Sequence, residues 1–156
     1  MEHEHILSTN SDFLLKRLIT QYKKQDKLII AYDIDDTVRP MYCTNCDTVQ
    51  SLLRRANEVL DAFFIVFTSN EDIDGVKKYL DKCELPYDAI NENAPFVRFK
   101  KGKVFYNVLL DDKAGLGETV TTLEQLMFLV DNKFIIKEND YERKISRNFK
   151  GICELY

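Results

Sequence analysis

Apolar and polar positions along this chain switch repeatedly between two spacings. The segments 28–32, 62–67 and 107–110 are apolar at nearly every position and rich in Ile, Val, Leu and Phe, as strands buried on both faces are. Between them lie stretches whose apolar residues fall three and four apart, the spacing of one helix face. Phe13, Leu14, Leu18 and Tyr22 predict an opening helix over 12–24, with Asn10 or Ser11 as its N-cap. Val49, Leu52, Leu53, Ala56, Val59 and Leu60 predict a second over 47–60. Ile73, Val76, Tyr79 and Leu80 predict a third that stops before Pro86. Val120, Leu123, Leu126, Met127 and Val130 predict a fourth over 118–130, introduced by Gly115 and Gly117. Three segments are less regular. Residues 87–90 suit a short strand, and 96–105 a hairpin around Lys101-Gly102. Residues 132–156 mix Phe134-Ile135-Ile136 with charges, which leaves a strand, a helix or a self-association surface open.

Strands alternating with helices imply an α/β fold with a largely parallel sheet covered on both faces. In such sheets ligands bind beyond the carboxyl ends of the strands, where neighbouring crossovers leave in opposite directions. Polar clusters follow three of the buried runs: Asp33 and Asp35, then Thr68-Ser69-Asn70, then Asp111-Asp112. Three loops are therefore expected to meet at one edge of the sheet. In a continuing strand Asp33 and Asp35 would share one side, but a chain that turns at once lets them diverge and converge on a common ligand. An acidic pair fixed at a strand end suits a divalent cation and attack on phosphorus. Asp-rich loops also cap helices and start turns, so this motif taken by itself does not choose between the two.

With 156 residues, 45% of them hydrophobic, and no low-complexity stretch, the chain reads as a single domain over 1–156. Its core motifs span 27–117, with a helix at 11–25 before them and an extension at 132–156 after. The longest apolar block, 62–67, is far short of the roughly 18 residues of a membrane helix. The start, Met1-Glu2-His3-Glu4-His5, has no basic region leading into an apolar one, so a cytoplasmic location without a membrane partner is expected. A net charge of −4 argues against strong nucleic-acid affinity, which is built from clustered Lys and Arg. Cys43, Cys46, Cys83 and Cys153 follow no secreted disulfide spacing and read as reduced thiols. Cys43 and Cys46 have the spacing of half a zinc site, a weak signal without a second pair. His3 and His5 are expected in a mobile terminus and not in a metal site.

Taken together, the motifs resemble those of the haloacid dehalogenase superfamily of phosphatases and phosphotransferases, over Leu28 to about Gly117. The first is an apolar run followed by Asp-x-Asp-x-Thr, here Asp33, Asp35 and Thr37. The second is an apolar strand ending in a hydroxyl residue, here Thr68, and the fourth an apolar strand ending in paired acids, here Asp111 and Asp112. The third is a lysine, matched by Lys103 after Gly102, with Lys100, Lys101 and Lys113 as rivals. The resemblance implies a Rossmann-like three-layer sandwich, here without a separate cap domain, and a Mg²⁺-dependent phosphoric monoester hydrolase.

The roles it implies fit the residue types. Asp33 would be the nucleophile that forms an aspartyl-phosphate, and Asp35 the general acid and then the base. Thr68 would hydrogen-bond a phosphoryl oxygen, and Lys103 would offset its charge. Thr37, Ser69 and Asn70 would contact the substrate. Mg²⁺, which prefers hard oxygen ligands, would sit on the Asp33 carboxylate, the Asp35 backbone carbonyl and Asp112, with Asp111 bridging through water or orienting. The implied partner is a phosphorylated substrate reached through an open site. A nucleic-acid end is suggested by the run Asp111-Asp112-Lys113 and opposed by the acidic charge balance. A receiver-like signalling module also pairs acids with Mg²⁺, but places its phosphorylated Asp on a middle strand ahead of the Thr and Lys. A phosphate-binding or scaffold protein without turnover is the other alternative, weighed against by the complete set of acids.

Overall fold

A computed structural model describes residues 2–42, 45–98 and 102–140, with side chains from Asp12 onward. Four strands, β1 (Ile29–Asp33), β2 (Phe63–Phe67), β3 (Ala89–Ile90) and β4 (Val108–Leu110), form one sheet in the order β3-β2-β1-β4. Every pairing in it is parallel. Helices α1 (Glu2–Lys24), α2 (Cys46–Leu60), α3 (Ile73–Lys82) and α4 (Leu116–Asp131) complete the α/β architecture. Among the described residues no helix is long and apolar enough to cross a membrane.

The strand order dictates how the layers are filled. From β1 the chain steps to β2 and then β3 in one direction, and right-handed crossovers place α2 and α3 on the same face. Ile30, Tyr32, Phe64, Val66, Val108 and Leu110 point into that face and share one core with Leu53 and Ala56 of α2, Val76 and Leu80 of α3, and Leu123 and Leu126 of α4. Helix α4 packs on α1, α2 and β4 and so closes this layer. To reach β4 the chain must return past β2 and β1, and the same handedness sends it over the opposite face. There Ile29, Ala31 and Ile65 meet Ala94, with Val97, Val104 and Tyr106 packed around them. The strands thus carry apolar residues at successive positions because both of their faces are covered. The three expected layers are present, and the third is this returning segment.

Several expectations are corrected at the edges of the elements. Helix α1 begins at Glu2, so Asn10 and Ser11 lie inside it and do not cap it. Apolar spacing starts only at Phe13, but residues 2–11 contain no Gly or Pro to stop a helix, and they continue it. His3 and His5 accordingly belong to α1. The hairpin expected over 96–105 is absent among the described residues of that segment, with 99–101 outside them. Its apolar residues serve the sheet face instead: Phe96 meets Phe63 edge-on with ring centroids 5.5 Å apart. Of the extension, 134–136 form no strand. Ile135 packs on the helical core and exposed Phe134 lies beside Phe128, while 141–156 fall outside the described residues.

Both short strands are started by an Asn or Asp side chain. Asn107 donates its N–H to the Ile29 carbonyl at 2.8 Å, and its Oδ1 accepts the Ile29 N–H at 2.8 Å. Asp88 does the same to Phe64, donating at 2.9 Å and accepting through Oδ2 at 2.7 Å. One residue thereby satisfies both backbone groups of its neighbour, extending the ladder beyond strands of three and two residues. Helix α3 is capped by Asp72, whose Oδ1 accepts the Gly75 N–H at 2.9 Å. A Cβ on Gly75 would lie 2.3 Å from Asp72 Oδ2, so any other residue there would push the capping carboxylate aside. Replacing Asn107 by Ala strands the Ile29 N–H, and the expected loss is about 1–3 kcal/mol. For a chain of this size that lowers Tm by roughly 3–9 °C in a thermal melt, with Asp88→Ala moving in the same direction.

Candidate functional site

β1 and β4 are parallel neighbours, so the loops that follow them leave from the same carboxyl edge of the sheet, the edge at which ligands bind in open parallel sheets. Asp33 is the last residue of β1. Tyr32 pairs with Leu110, so Asp111 and Asp112 emerge beside it. Asp33, Asp111 and Asp112 each offer a carboxylate oxygen within 4.8 Å of the other two. Among the described residues this is the only group of three His, Cys, Asp or Glu side chains close enough to share an ion. Burial raises the Asp33 carboxyl above its ordinary range, its backbone hydrogen bond from Ile34 opposes this, and the charges of Asp111, Asp112 and Asp35 raise it further.

The loop after β1 turns as soon as the strand ends. The Ile34 carbonyl accepts the N–H groups of Val38 at 3.0 Å and Arg39 at 2.8 Å, and Asp36 takes up a left-handed φ of 58°. This turn separates the two acids of the first motif. Asp35 leaves the carboxylate group, and its Oδ1 accepts from Arg39 Nε at 2.8 Å and Nη2 at 2.5 Å. Arg39 in turn lies over the Tyr79 ring, 5.8 Å from its centroid. The Val38 carbonyl is gripped by Gln50 at 2.7 Å and by the Tyr79 hydroxyl at 3.0 Å, which ties the loop to α2 and α3. Burial, followed by contact with Cys83, pushes the Tyr79 hydroxyl up to about 12, so it remains a donor throughout the neutral range.

Thr37 is fully buried, and its Oγ1 accepts the Asp112 N–H at 3.1 Å. That makes it a tie between the first and last loops. Asp111 starts a turn of its own, its Oδ1 accepting the Lys113 N–H at 2.9 Å. On the neighbouring strand, Thr68 is clamped by Asn91. Asn91 Oδ1 accepts the Thr68 N–H at 3.0 Å and its Nδ2 donates to the Thr68 carbonyl at 2.7 Å. Thr68 Oγ1 accepts from the Asn70 N–H at 3.1 Å, so its own hydroxyl proton is free to donate. Ser69 and Asn70 are exposed, and Asn70 Oδ1 accepts the Asp72 N–H at 2.9 Å ahead of α3.

Lys103 is exposed, with its ammonium 5.8 Å from the centre of the Tyr106 ring. Tyr106 lies edge-on to Phe67, which precedes Thr68, so Lys103 connects to the β2 end of the site through aromatic contacts. No described carboxylate forms an ion pair with it. Lys100 and Lys101 lie outside the described residues, and exposed Lys113 follows Asp112 directly. Cys43 is also outside them, and Cys46 is buried at the start of α2. Two contributors lie outside the four motifs. Arg39 stands four residues after Asp35, a charge spacing that could have revealed the pair. Asn91 is 23 residues from Thr68, and no sequence signal links them.

No family model, curated protein or solved structure matches the chain.

The elevated Asp33 carboxyl has a definite sign for stability. Between its ordinary range and its raised value the folded chain holds more proton than the unfolded one, so stability falls as pH rises through that window and stays lowered above it. Without divalent cations, Asp33→Asn is therefore expected to melt above the wild type near pH 7–8, with the gap closing toward about pH 4. Saturating the wild type with Mg²⁺ to about 100 times its Kd should raise Tm by roughly 5–10 °C, and Asp33→Asn by much less. Superimposable melts with and without Mg²⁺ would rule out the cation site.

Proposed function

We propose that the protein is a Mg²⁺-dependent phosphoric monoester hydrolase that works through an aspartyl-phosphate on Asp33, as the motif resemblance to the haloacid dehalogenase superfamily implies. The observation that carries this reading is the convergence of Asp33, Asp111 and Asp112 within 4.8 Å of one another at the carboxyl edge of the sheet. The donor set is all oxygen and negatively charged, as suits a hard cation, and the Asp33 carboxyl is raised first by burial and then by the neighbouring carboxylates. Asp33, Asp112 and the Asp35 backbone carbonyl would hold Mg²⁺, with Asp111 orienting or bridging through water. Bound there, the ion would neutralise the charge that otherwise keeps a phosphate dianion away from a carboxylate.

The chain's own groups divide the remaining work. A carboxylate oxygen of Asp33 attacks phosphorus, and its new P–O bond forms as the ester P–O bond breaks. Asp35 gives its proton to the departing alkoxide. It then takes a proton from the water that attacks the aspartyl-phosphate, and inorganic phosphate leaves with Asp33 restored. Arg39 holds Asp35 by one oxygen, which fixes its position without occupying the other. The free hydroxyl proton of Thr68 donates to a phosphoryl oxygen, held in place by Asn91, and exposed Ser69 and Asn70 border the same oxygens. Lys103 supplies a nearby positive charge. A cytoplasmic setting suits the reading, since the cysteines show no secreted spacing.

A phosphate-ester panel assayed with Mg²⁺ tests this directly. Hydrolysis should stop with EDTA, and Asp33→Asn should lower kcat by on the order of 10³-fold or more. Asp35→Asn should lower it roughly 10²–10⁴-fold. Mass spectrometry of acid-quenched protein should find the phosphoryl group on Asp33. Equal turnover by wild type and Asp33→Asn would refute the nucleophile.

A further inference from the structure

Helix α4 is apolar at every position from Leu126 to Val130, and a helix that is apolar all round is one covered on every side. The described neighbours cover only part of it. Leu126 and Met127 are buried in the helical core, whereas Leu129 is half-buried and Phe128 is 58% exposed. A groove of about 940 Å³ lies along this outer side, lined by Met127, Phe128 and Leu129, by Ser51 and Leu52 of α2, and by Leu15 of α1. Phe134, itself 68% exposed, prolongs the apolar strip, with its ring centroid 6.2 Å from that of Phe128.

We propose that this groove is the docking site of residues 141–156 of the same chain. Tyr141, Ile145, Phe149, Ile152 and Tyr156 fall four, four, three and four apart, the stripe of one helix face. The chain reaches this segment at one end of the groove. Lys137 donates through Nζ to the Asp26 carbonyl and stands 5.3 Å from the centre of the Tyr22 ring, and Asn139 Nδ2 donates to Asp26 Oδ1 at 3.0 Å. Those bonds tie 137–139 to the end of α1, and residues 138–140 are helical. Because α1 leads into β1 and α4 leads away from β4, both helices end at the same edge of the parallel sheet. The 16 residues of 141–156, continued as helix, rise about 24 Å, which is also the rise of the 16-residue α4. A segment returning antiparallel therefore covers α4 from end to end.

Charge fits the same direction. Glu118, Glu124 and Asp131 are the only charged residues of α4, and Asp47 adds another acid to the lining. Arg55, the one cation among the described lining residues, is already bound to Asp131 at 2.9 Å. The segment carries Arg143, Lys144, Arg147 and Lys150 against Glu142 and Glu154. The antiparallel run brings Lys144 and Arg147 level with Glu124, and Lys150 level with Glu118. None of the acids that meet at the β1–β4 edge lines the groove, so this contact is independent of the hydrolase reading.

Trypsin cuts after Arg and Lys, so its rate after Arg147 and Lys150 in the full chain reads how often the segment leaves the groove. Mass spectrometry should find these bonds cut on the order of tenfold or more slower than in a synthetic peptide of residues 138–156. Phe128→Asp changes an exposed groove residue and should speed their cleavage by roughly ten- to a hundredfold, and Phe149→Asp by as much. The two changes combined should add little to either, because each undocks the same segment. Cleavage after Lys77 and Lys78 in α3 reports global opening and should not respond. Cutting as fast in the wild-type chain as in the peptide, or a rate unmoved by Phe128→Asp, overturns the proposal. A dimer by light scattering that Phe128→Asp converts to monomer overturns it too, since a second copy would then fill the groove.

Discussion

The adjacency of β1 and β4 is the constraint on which the site depends. Each strand ends in acid, and parallel pairing brings Asp33 to the same edge as Asp111 and Asp112. Partly burying Asp33 beside two other carboxylates opposes folding, and its raised carboxyl, lifted first by burial and then by their charges, is the local sign of that cost. The sheet offsets it with apolar burial on both faces, where Ile30, Ala31, Tyr32, Ile65 and Val66 are all fully enclosed. A rigid, buried frame thus holds charges at an edge where they would otherwise separate.

Polar side chains, more than backbone alone, keep that edge in shape. Thr37 joins the first loop to the last through the Asp112 N–H. Asn91 locks the end of β2 by holding both backbone groups of Thr68. At the other end of the strands Asn107 and Asp88 start β4 and β3 by pairing with Ile29 and Phe64. A short amide or carboxylate reaches the neighbouring strand with the spacing of a backbone peptide, so it can prolong a ladder that is too brief to stand alone. These residues never touch the proposed chemistry, yet they set the positions of the groups that would perform it.

Legibility varied with the range of the interaction. Helices α2 and α4 and strands β1, β2 and β4 were readable to within two residues, because each has a period that its own residues display. The acids of the first and fourth motifs were readable too, since each directly follows a buried run. The segment 96–105 misled because its apolar residues fit a hairpin as well as a covering layer, and only the opposite sheet face decides between them. The burial of Thr37 and its bond to the Asp112 N–H, 75 residues away, were not readable from its type and position. The Asp35–Arg39 pair lay within four residues and was open to detection. The Asn91 clamp spans 23 residues and was not.

By itself, then, the order of residues determined the α/β class, the burial of the strands on two faces and the acids that end them, because periodicity and strand-end polarity are local properties. Tertiary structure alone decided that β4 lies beside β1 and not beyond β3, that Asp35 turns away to Arg39 while Asp33 stays with Asp111 and Asp112, and that Asn91 grips Thr68. The reason is physical: strand order and loop closure are set by the handedness of crossovers and by contacts between distant segments, and no stretch of the chain carries those contacts within itself.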